Sequence, residues 1–498
     1  MNRGAVTGTK MPSPVRIGTL KTVDEFRTAL TQLNCDIPCD EDLLTAPASP
    51  LAQSIKIGGL HIANRFAIHP MEGWDGTRDG RPTPDTFRRW SRFGQSGAKL
   101  IWGGEAVAVR HDGRANPHQL VIGPSSEQDL AQLRQTLIDA HKQAMGSTAG
   151  LVIGLQLTHS GRYSKPNDWS RIEPRKAFAH PILDRRLGLA PADGLLSDDD
   201  IQQIIDAYVP AAILAEKIGF DFIDIKHCHG YLGHEILGAH TRPGRFGGSF
   251  ENRTRYLRDI VAAVRAATRR LQIGVRLSAF DWVPFRPDPA LSKPGKPGPG
   301  IPEPYENLLP YRWGFGINQD HPTEYDLTEP IQFLELLRSL DIRLINLTAG
   351  SPYYNPHIQR PALYPPSDGY QPPEDPLFGV AHQMKVTREL KQRFPDLLIV
   401  GSAYTYLQDF LPNVAQAAVR ENWCDSVGLG RMVLAYPQLP ADLMNGRPLQ
   451  HKKFCRTFSD CTTAPRNALK SGCYPLDDYY KDSPQAVQLR IAKKPPTQ

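Results

Sequence analysis

Residues 197–232 read SDDDIQQIIDAYVPAAILAEKIGFDFIDIKHCHGYL, and two periodicities lie back to back in them. Ser197 is a good helix N-cap, and Asp198, Asp199 and Asp200 stand where carboxylates favour the positive end of a helix dipole. Apolar Ile201, Ile204, Ile205 and Tyr208 follow at i, i+3, i+4 and i+7, which predicts a helix over 198–218. Gly219 stops it, and an apolar run at 222–226 resumes as strand. At and beyond the carboxyl end of that strand stand Lys226, His227, His229 and Tyr231, polar residues where a core would otherwise continue.

The same beat repeats along the chain. Apolar runs fall at 66–71, 99–103, 151–157, 222–226, 273–277, 342–347, 397–401 and 426–429. Helix-period stretches lie between them, at 84–95, 127–145, 198–218, 251–267, 329–340, 380–394 and 406–421. A short hairpin around Gly58-Gly59 and a helix at 23–33 precede the series. Strands alternating with helices imply parallel β-α-β units. Eight strands favour a closed (β/α)8 barrel over an open doubly wound sheet. The open sheet usually carries G-x-G-x-x-G after its first strand, and here Glu72-Gly73-Trp74-Asp75-Gly76 follows. The expected organisation is an N-terminal extension (1–50), the barrel (51–445) and a cysteine-bearing tail packing on it (446–498).

Bulk composition narrows the function classes. The 498 residues carry 58 basic against 52 acidic side chains, a net charge of +6 with no basic block, so nucleic acid is not an expected partner. No apolar run approaches the ~20 residues of a membrane span, and no charged-then-apolar leader opens the sequence. Seven cysteines are too sparse for a disulfide scaffold and suit a reducing, cytoplasmic setting. Proline is the unusual residue. Of 45, nine fall in 284–310 and eight in 352–376, a density that excludes helix or central strand there. Read alone, these windows resemble linkers between domains. Placed after the fifth and sixth strands, they become long insertions over the active face, with Trp282, Tyr311, Trp313, Tyr353 and Tyr364 available as pocket walls.

In a barrel of this kind, chemistry sits at the carboxyl ends of the strands. Pro70-Met71-Glu72, Glu105-Ala106, Gln156, Lys226 to Tyr231, Arg276, Gly350, Gly401-Ser402 and Gly430-Arg431 stand there. The segment His229-Gly230-Tyr231-Leu232, then Arg242, Gly247-Gly248-Ser249 and Glu251-Asn252-Arg253, resembles the old yellow enzyme family of FMN-dependent barrel oxidoreductases. Residues 156–162 and 428–431 add to the resemblance, which spans about 54–437. The branch with a cysteine-bearing tail, which includes dienoyl-CoA reductases and trimethylamine dehydrogenase, is the nearest in pattern, without its nucleotide-binding domains.

The resemblance implies roles for these residues. Gly401-Ser402 and Gly430-Arg431 would cradle the FMN phosphate with backbone amides and a guanidinium, although each glycine also suits a plain strand-to-helix turn. Arg276 would stabilise the reduced ring, its alternative being an ion pair with a carboxylate. Gln156 would bond the pyrimidine edge. Pro70, Met71, Glu72, Ala106 and Gly350 would line the cofactor, or serve as barrel packing. His229 would bond the substrate oxygen and Tyr231 would donate a proton to the reduced alkene. Where the family carries a further His, three residues before His229, this chain has Lys226. A lysine favours an acceptor of anionic character. His227 is the alternative partner if the turn shifts by one residue.

The family's [4Fe–4S] spacing is reproduced only between Cys461 and Cys473. Phe454 and Thr457 stand at the two earlier positions, and Cys455 is out of register, so a cluster is not expected and no metal ligand is assigned. His451, Asp460, Cys35 and Cys39 are the remaining candidates to complete a metal site. The expected function is NAD(P)H-dependent reduction of an activated small molecule through FMN, with homo-oligomerisation left open. Alternatives are a flavin dehydrogenase or demethylase using an external acceptor, a Schiff-base lyase on Lys226, and a non-catalytic relic.

Overall fold

The computed structural model describes residues 13–493. The hairpin strands β1 (Ile55–Ile57) and β2 (Leu60–Ile62) turn on Gly58 and Gly59, both with positive φ. The main sheet comprises β3 (Phe66–Ile68), β4 (Leu100–Ile101), β5 (Ala106–Ala108), β6 (Val152–Thr158), β7 (Phe222–Ile225) and β8 (Gln272–Ser278). After a separate antiparallel ribbon, β9 (Phe285–Pro287) and β10 (Gly300–Pro302), it continues with β11 (Leu344–Thr348), β12 (Leu398–Gly401) and β13 (Ser426–Leu429). All its pairings are parallel, and β13 pairs β3, so the sheet closes into the (β/α)8 barrel.

Helix α1 (Val23–Leu33) precedes the strands, and the principal helices between them are α2 (Pro84–Gly94), α3 (Glu127–Met145), α4 (Pro181–Leu187), α5 (Asp198–Ile218), α6 (Leu232–Leu237) and α7 (Phe250–Ala267). They continue with α8 (Thr328–Ser339), α9 (Pro356–Gln359), α10 (Pro376–Arg393) and α11 (Leu411–Arg420). Helix α5 forms for the local reasons given above. The Ser197 hydroxyl accepts from the Asp200 N–H, the Asp200 carboxylate accepts from the Ser197 N–H, and Gly219 takes the left-handed conformation at the end. Ile201, Ile204, Ile205 and Tyr208 are all buried against the barrel. Each apolar side chain contributes ~1.5–3 kcal/mol by leaving water.

Two expectations need correction. The second barrel strand is not one run over 99–103. Gly103-Gly104-Glu105 interrupts it, with Gly104 at φ +58°, and pairing with β6 resumes at Ala106–Ala108. The proline windows are also more structured than their density implied. The first holds the β9–β10 ribbon, and the second holds α9, whose Pro356 occupies the first turn, where a missing N–H costs no hydrogen bond.

The motif that carried the family resemblance is largely scaffold. Arg242 donates to the Ala177 and Leu196 carbonyls and pairs with Asp198, while Arg253 holds the Leu237 carbonyl and Glu329. Beneath the loop that follows β6, Arg162 (1% exposed) donates to Glu235, Asp184 and the Phe178 carbonyl, and Lys176 donates to Asp184 at 2.9 Å. Arg162→Met strands Glu235 as a buried carboxylate without its cation. It should lower folding stability by ~3–5 kcal/mol, read as an earlier midpoint in urea denaturation at unchanged slope.

Candidate active site

Strand alternation decides which side chains reach the barrel interior. On β7, Asp224 faces inward with Phe222, and Lys226 follows them at the rim. His227 points outward, packed between Tyr256 and Phe333 with Nδ1 at 2.9 Å from the Ile225 carbonyl. Its exchange with Lys226 is therefore corrected: His227 touches no part of the site, and burial pushes its pKa down to about 4.

A cavity of about 730 Å³ opens at the carboxyl ends of the strands. Its walls include Pro70, Met71, Glu72, Ala106, Gln156 and Arg276, then Ser402, Gly430 and Arg431, with Lys226, His229 and Tyr231 on one side. Gly350 and Gly401 do not line it. The Gly350 N–H donates to the Phe280 carbonyl, and Gly401 lies over Tyr404 and Cys424. The aromatic pocket walls are corrected likewise. Of the five, Tyr353 alone lines the cavity. Trp282 and Trp313 border a small separate cleft, Tyr311 is fully buried, and Tyr364 is exposed and packs on Phe458. The first proline window folds onto its own apolar cluster, because its aromatic residues find one another before they reach the barrel mouth.

The floor is a fixed polar lattice. Asp224 is fully buried and accepts from Gln156 Nε2 (2.6 Å), Trp102 Nε1 (2.8 Å) and the Arg276 N–H (2.6 Å). Burial pushes its carboxyl up to about 6. Because the Gln156 amide is held by its nitrogen, its Oε1 is left as an acceptor for whatever fills the cavity. Arg276 is buried, its Nε has no partner, and no carboxylate lies within 4 Å of it among the described residues. The ion-pair alternative for Arg276 is thereby removed.

Sequence reading missed His69. Its ring accepts from Asn346 Nδ2 at Nδ1 (3.1 Å) and bonds Ser402 Oγ through Nε2 (3.1 Å), while Ser402 donates to the Leu347 carbonyl (2.5 Å). A Cβ on Gly428 would meet this ring at 2.1 Å, so glycine is required on β13 for steric reasons. Arg360, on the second proline window, was missed as well. Its guanidinium donates to Thr462 and Ser459 of the tail, stands near Arg431, and has no carboxylate within 4 Å among the described residues. Burial and the neighbouring Arg431 pull its pKa down to about 9. Arg360 Nε and Arg431 Nη1 are both buried without a partner. Two half-buried guanidiniums with no carboxylate partner among the described residues suit a dianion.

On the opposite side, Lys226 Nζ lies 3.8 Å from the centre of the Tyr231 ring. Burial lowers the ammonium pKa, opposed first by Glu72, whose own carboxyl is raised by burial and held down by Lys226. Tyr231 OH is 2.9 Å from Tyr353 OH, and burial raises the phenol far above its usual range. His229 sits at φ +67°, with Nε2 at 3.1 Å from Gln359 Nε2. The Ser278 hydroxyl accepts from the His229 N–H, and the Ser351 hydroxyl donates to the His229 carbonyl. These bonds hold the strained turn that aims its ring at the cavity.

Residues 50–287 match the profile of the NADH:flavin oxidoreductase / NADH oxidase family. Over those residues the chain is similar to this family. A relative named NADPH dehydrogenase, from Geobacillus sp. (strain WCH70), is 32% identical over 238 residues, covering 46% of this chain and 63% of the relative. The chain spans about three fifths of the length of the first curated relatives it matches. Among solved structures, an old yellow enzyme homologue from Zymomonas mobilis aligns with TM-score 0.53 at 23% identity, covering 80% of this chain and 94% of that one. A 2-naphthoyl-CoA reductase complex aligns with TM-score 0.61 at 18% identity, covering 87% and 57%. At these identities the two structures speak for the fold.

The donor set fits FMN. The unpartnered Arg360 and Arg431 atoms suit a phosphate, the free Gln156 acceptor suits an imide N–H, and Arg276 suits a ring that gains negative charge on reduction. Among the described residues, no group of three His, Cys, Asp or Glu side chains could hold a metal ion, and no helix is long and apolar enough to cross a membrane.

Proposed function

We propose that the protein is an FMN-dependent NAD(P)H oxidoreductase acting on an activated unsaturated small molecule. The observation that carries this reading is a set of cations on the cavity wall with no carboxylate partner among the described residues, Arg276 at the barrel floor and Arg360 and Arg431 elsewhere, each keeping one buried nitrogen without a hydrogen bond. When bound, FMN supplies hydride chemistry, accepting from NAD(P)H and delivering to an electron-poor acceptor. The chain holds the cofactor through Gln156, Arg276, Arg360 and Arg431, and excludes water with Met71, Ala106 and Tyr353. Lys226 and His229 hydrogen-bond the acceptor's oxygen and stabilise the negative charge that builds there. Tyr231, kept neutral by burial, supplies the proton, and Tyr353 orients its hydroxyl.

The test is a visible spectrum of the purified, FMN-reconstituted protein before and after anaerobic NADPH or NADH. Flavin absorbance that bleaches with nicotinamide supports the reading. Bound flavin that neither nicotinamide reduces turns it towards a dehydrogenase using another acceptor. A second reading draws on the buried Lys226, whose lowered pKa makes it a better nucleophile for a Schiff base. Colourless protein inactivated by borohydride only with a carbonyl compound present would select it.

A further inference from the structure

The cavity carries more positive charge than the cofactor uses. Seven lysine and arginine side chains line it against two carboxylates, Glu72 and Asp368. On the flavin reading above, on which this inference rests, Arg360 and Arg431 meet the phosphate and Arg276 meets the reduced ring. Glu72 offsets Lys226 across the cavity, and Asp368 is ion-paired with Arg466. Two cations are left over, Lys165 and Arg186.

Both belong to the long segment between β6 and α5, at the mouth. Lys165 is half-buried, and no carboxylate lies within 4 Å of its ammonium among the described residues. Burial lowers its pKa, and Arg466 adds to that while Asp368 opposes it. Arg186, on α4, is anchored through one amino group to the Phe285 carbonyl at 2.9 Å, which fixes its planar head without neutralising it. The wall beside them is aromatic and apolar. Tyr163 stacks on Tyr353 at 4.1 Å, and Trp169, 47% exposed, lines the same cavity with Leu187.

We propose that Lys165 and Arg186 form an anion-binding subsite at the mouth, and that the pocket takes planar, largely apolar substrates bearing a terminal anionic group. The reactive end lies inward at Lys226 and His229. The body rests on the tyrosine stack and Trp169. The anionic group, a carboxylate or a phosphate ester, is drawn to the two outer cations. A half-desolvated ammonium gains more from such a group than an exposed lysine does, because the charge is less screened, and Arg186 adds an anchored guanidinium on the same cavity.

The probes are 4-carboxycinnamaldehyde and its isosteric amide, 4-carbamoylcinnamaldehyde, given to the FMN-loaded protein. Their aldehydes are identical and only the outer group changes charge. The acid should be favoured by roughly tenfold or more in kcat/KM, through KM, with the preference falling as salt is raised. In the Lys165→Met/Arg186→Met double variant, acid and amide should converge to within about twofold while kcat holds. Acid and amide treated alike by the wild type, or a preference that survives the double variant, overturns the subsite. So does a double variant that loses affinity for NADPH or NADH alone, which would assign the two cations to the dinucleotide's phosphates. A protein that retains no FMN fails the cofactor reading instead. Calorimetric binding of the two probes still decides the subsite in that case, since Lys165 and Arg186 touch neither the ring nor the phosphate residues.

Discussion

Arg276→Met leaves a protein that folds yet retains almost no FMN. The guanidinium sits at the barrel floor with Nε unpartnered and, among the described residues, no carboxylate within 4 Å, so in the unloaded chain it is a net cost to folding. Burial lowers its pKa in the same sense. Only a ligand with electron density over that spot repays the desolvation. Losing a charge-assisted hydrogen bond of this kind should weaken FMN by about a hundredfold, read by quenching of flavin fluorescence during titration. The sign on stability is the sharper reading. Without FMN the variant should melt no lower than the wild type, because methionine removes a buried charge and keeps most of the volume. With saturating FMN the wild type should gain melting temperature and the variant little. A variant that binds FMN as tightly as the wild type would detach Arg276 from the cofactor.

How much of this could be read before the structure follows from how local each signal is. Helices α3 and α5 fall on 127–145 and 198–218 as the periodicity predicts, because an apolar stripe and a terminal glycine, with a serine cap on α5, lie within one short window. The inward face of β7 is equally local, since alternation from Phe222 sends Lys226 in and His227 out. Gly350 and Gly401 were misplaced because a glycine at a strand end looks the same whether it cradles a ligand or makes a turn. His69 and Arg360 were missed for another reason. Each is given its place by partners far away in sequence, Asn346 and Ser402 for the first, Ser459 and Thr462 for the second. His69 does carry a faint signal, a polar residue ending the apolar run of β3. Arg360 has none, lying in a window whose proline density pointed only to loop.

Lys226→Met should cut reduction of the unsaturated substrate by about a hundred- to a thousandfold while reduction of bound FMN by NAD(P)H stays within a few-fold. The two half-reactions separate because Lys226 packs on Tyr231 opposite Glu72 and makes no hydrogen bond to the Gln156–Asp224–Arg276 floor, though Arg276 and Asp224 lie close enough to act on its charge. Its ammonium is the nearest positive charge to Tyr231, so removing it takes away stabilisation of the substrate's developing oxyanion and leaves His229 alone. The pH profile gives the role its signature. Burial lowers the Lys226 pKa, partly offset by Glu72, so the charged form is lost earlier on raising the pH than for an exposed lysine. Wild-type turnover should therefore fall on the alkaline side while Tyr231, with its pKa raised, is still protonated. In Lys226→Met that alkaline fall should vanish from what turnover remains. Lys226→Arg should move it beyond the measurable range, since arginine keeps its charge. Stopped-flow of each half-reaction against pH reads all three. A variant with unchanged turnover, or one that keeps the alkaline limb, would move the work of polarising the substrate to His229.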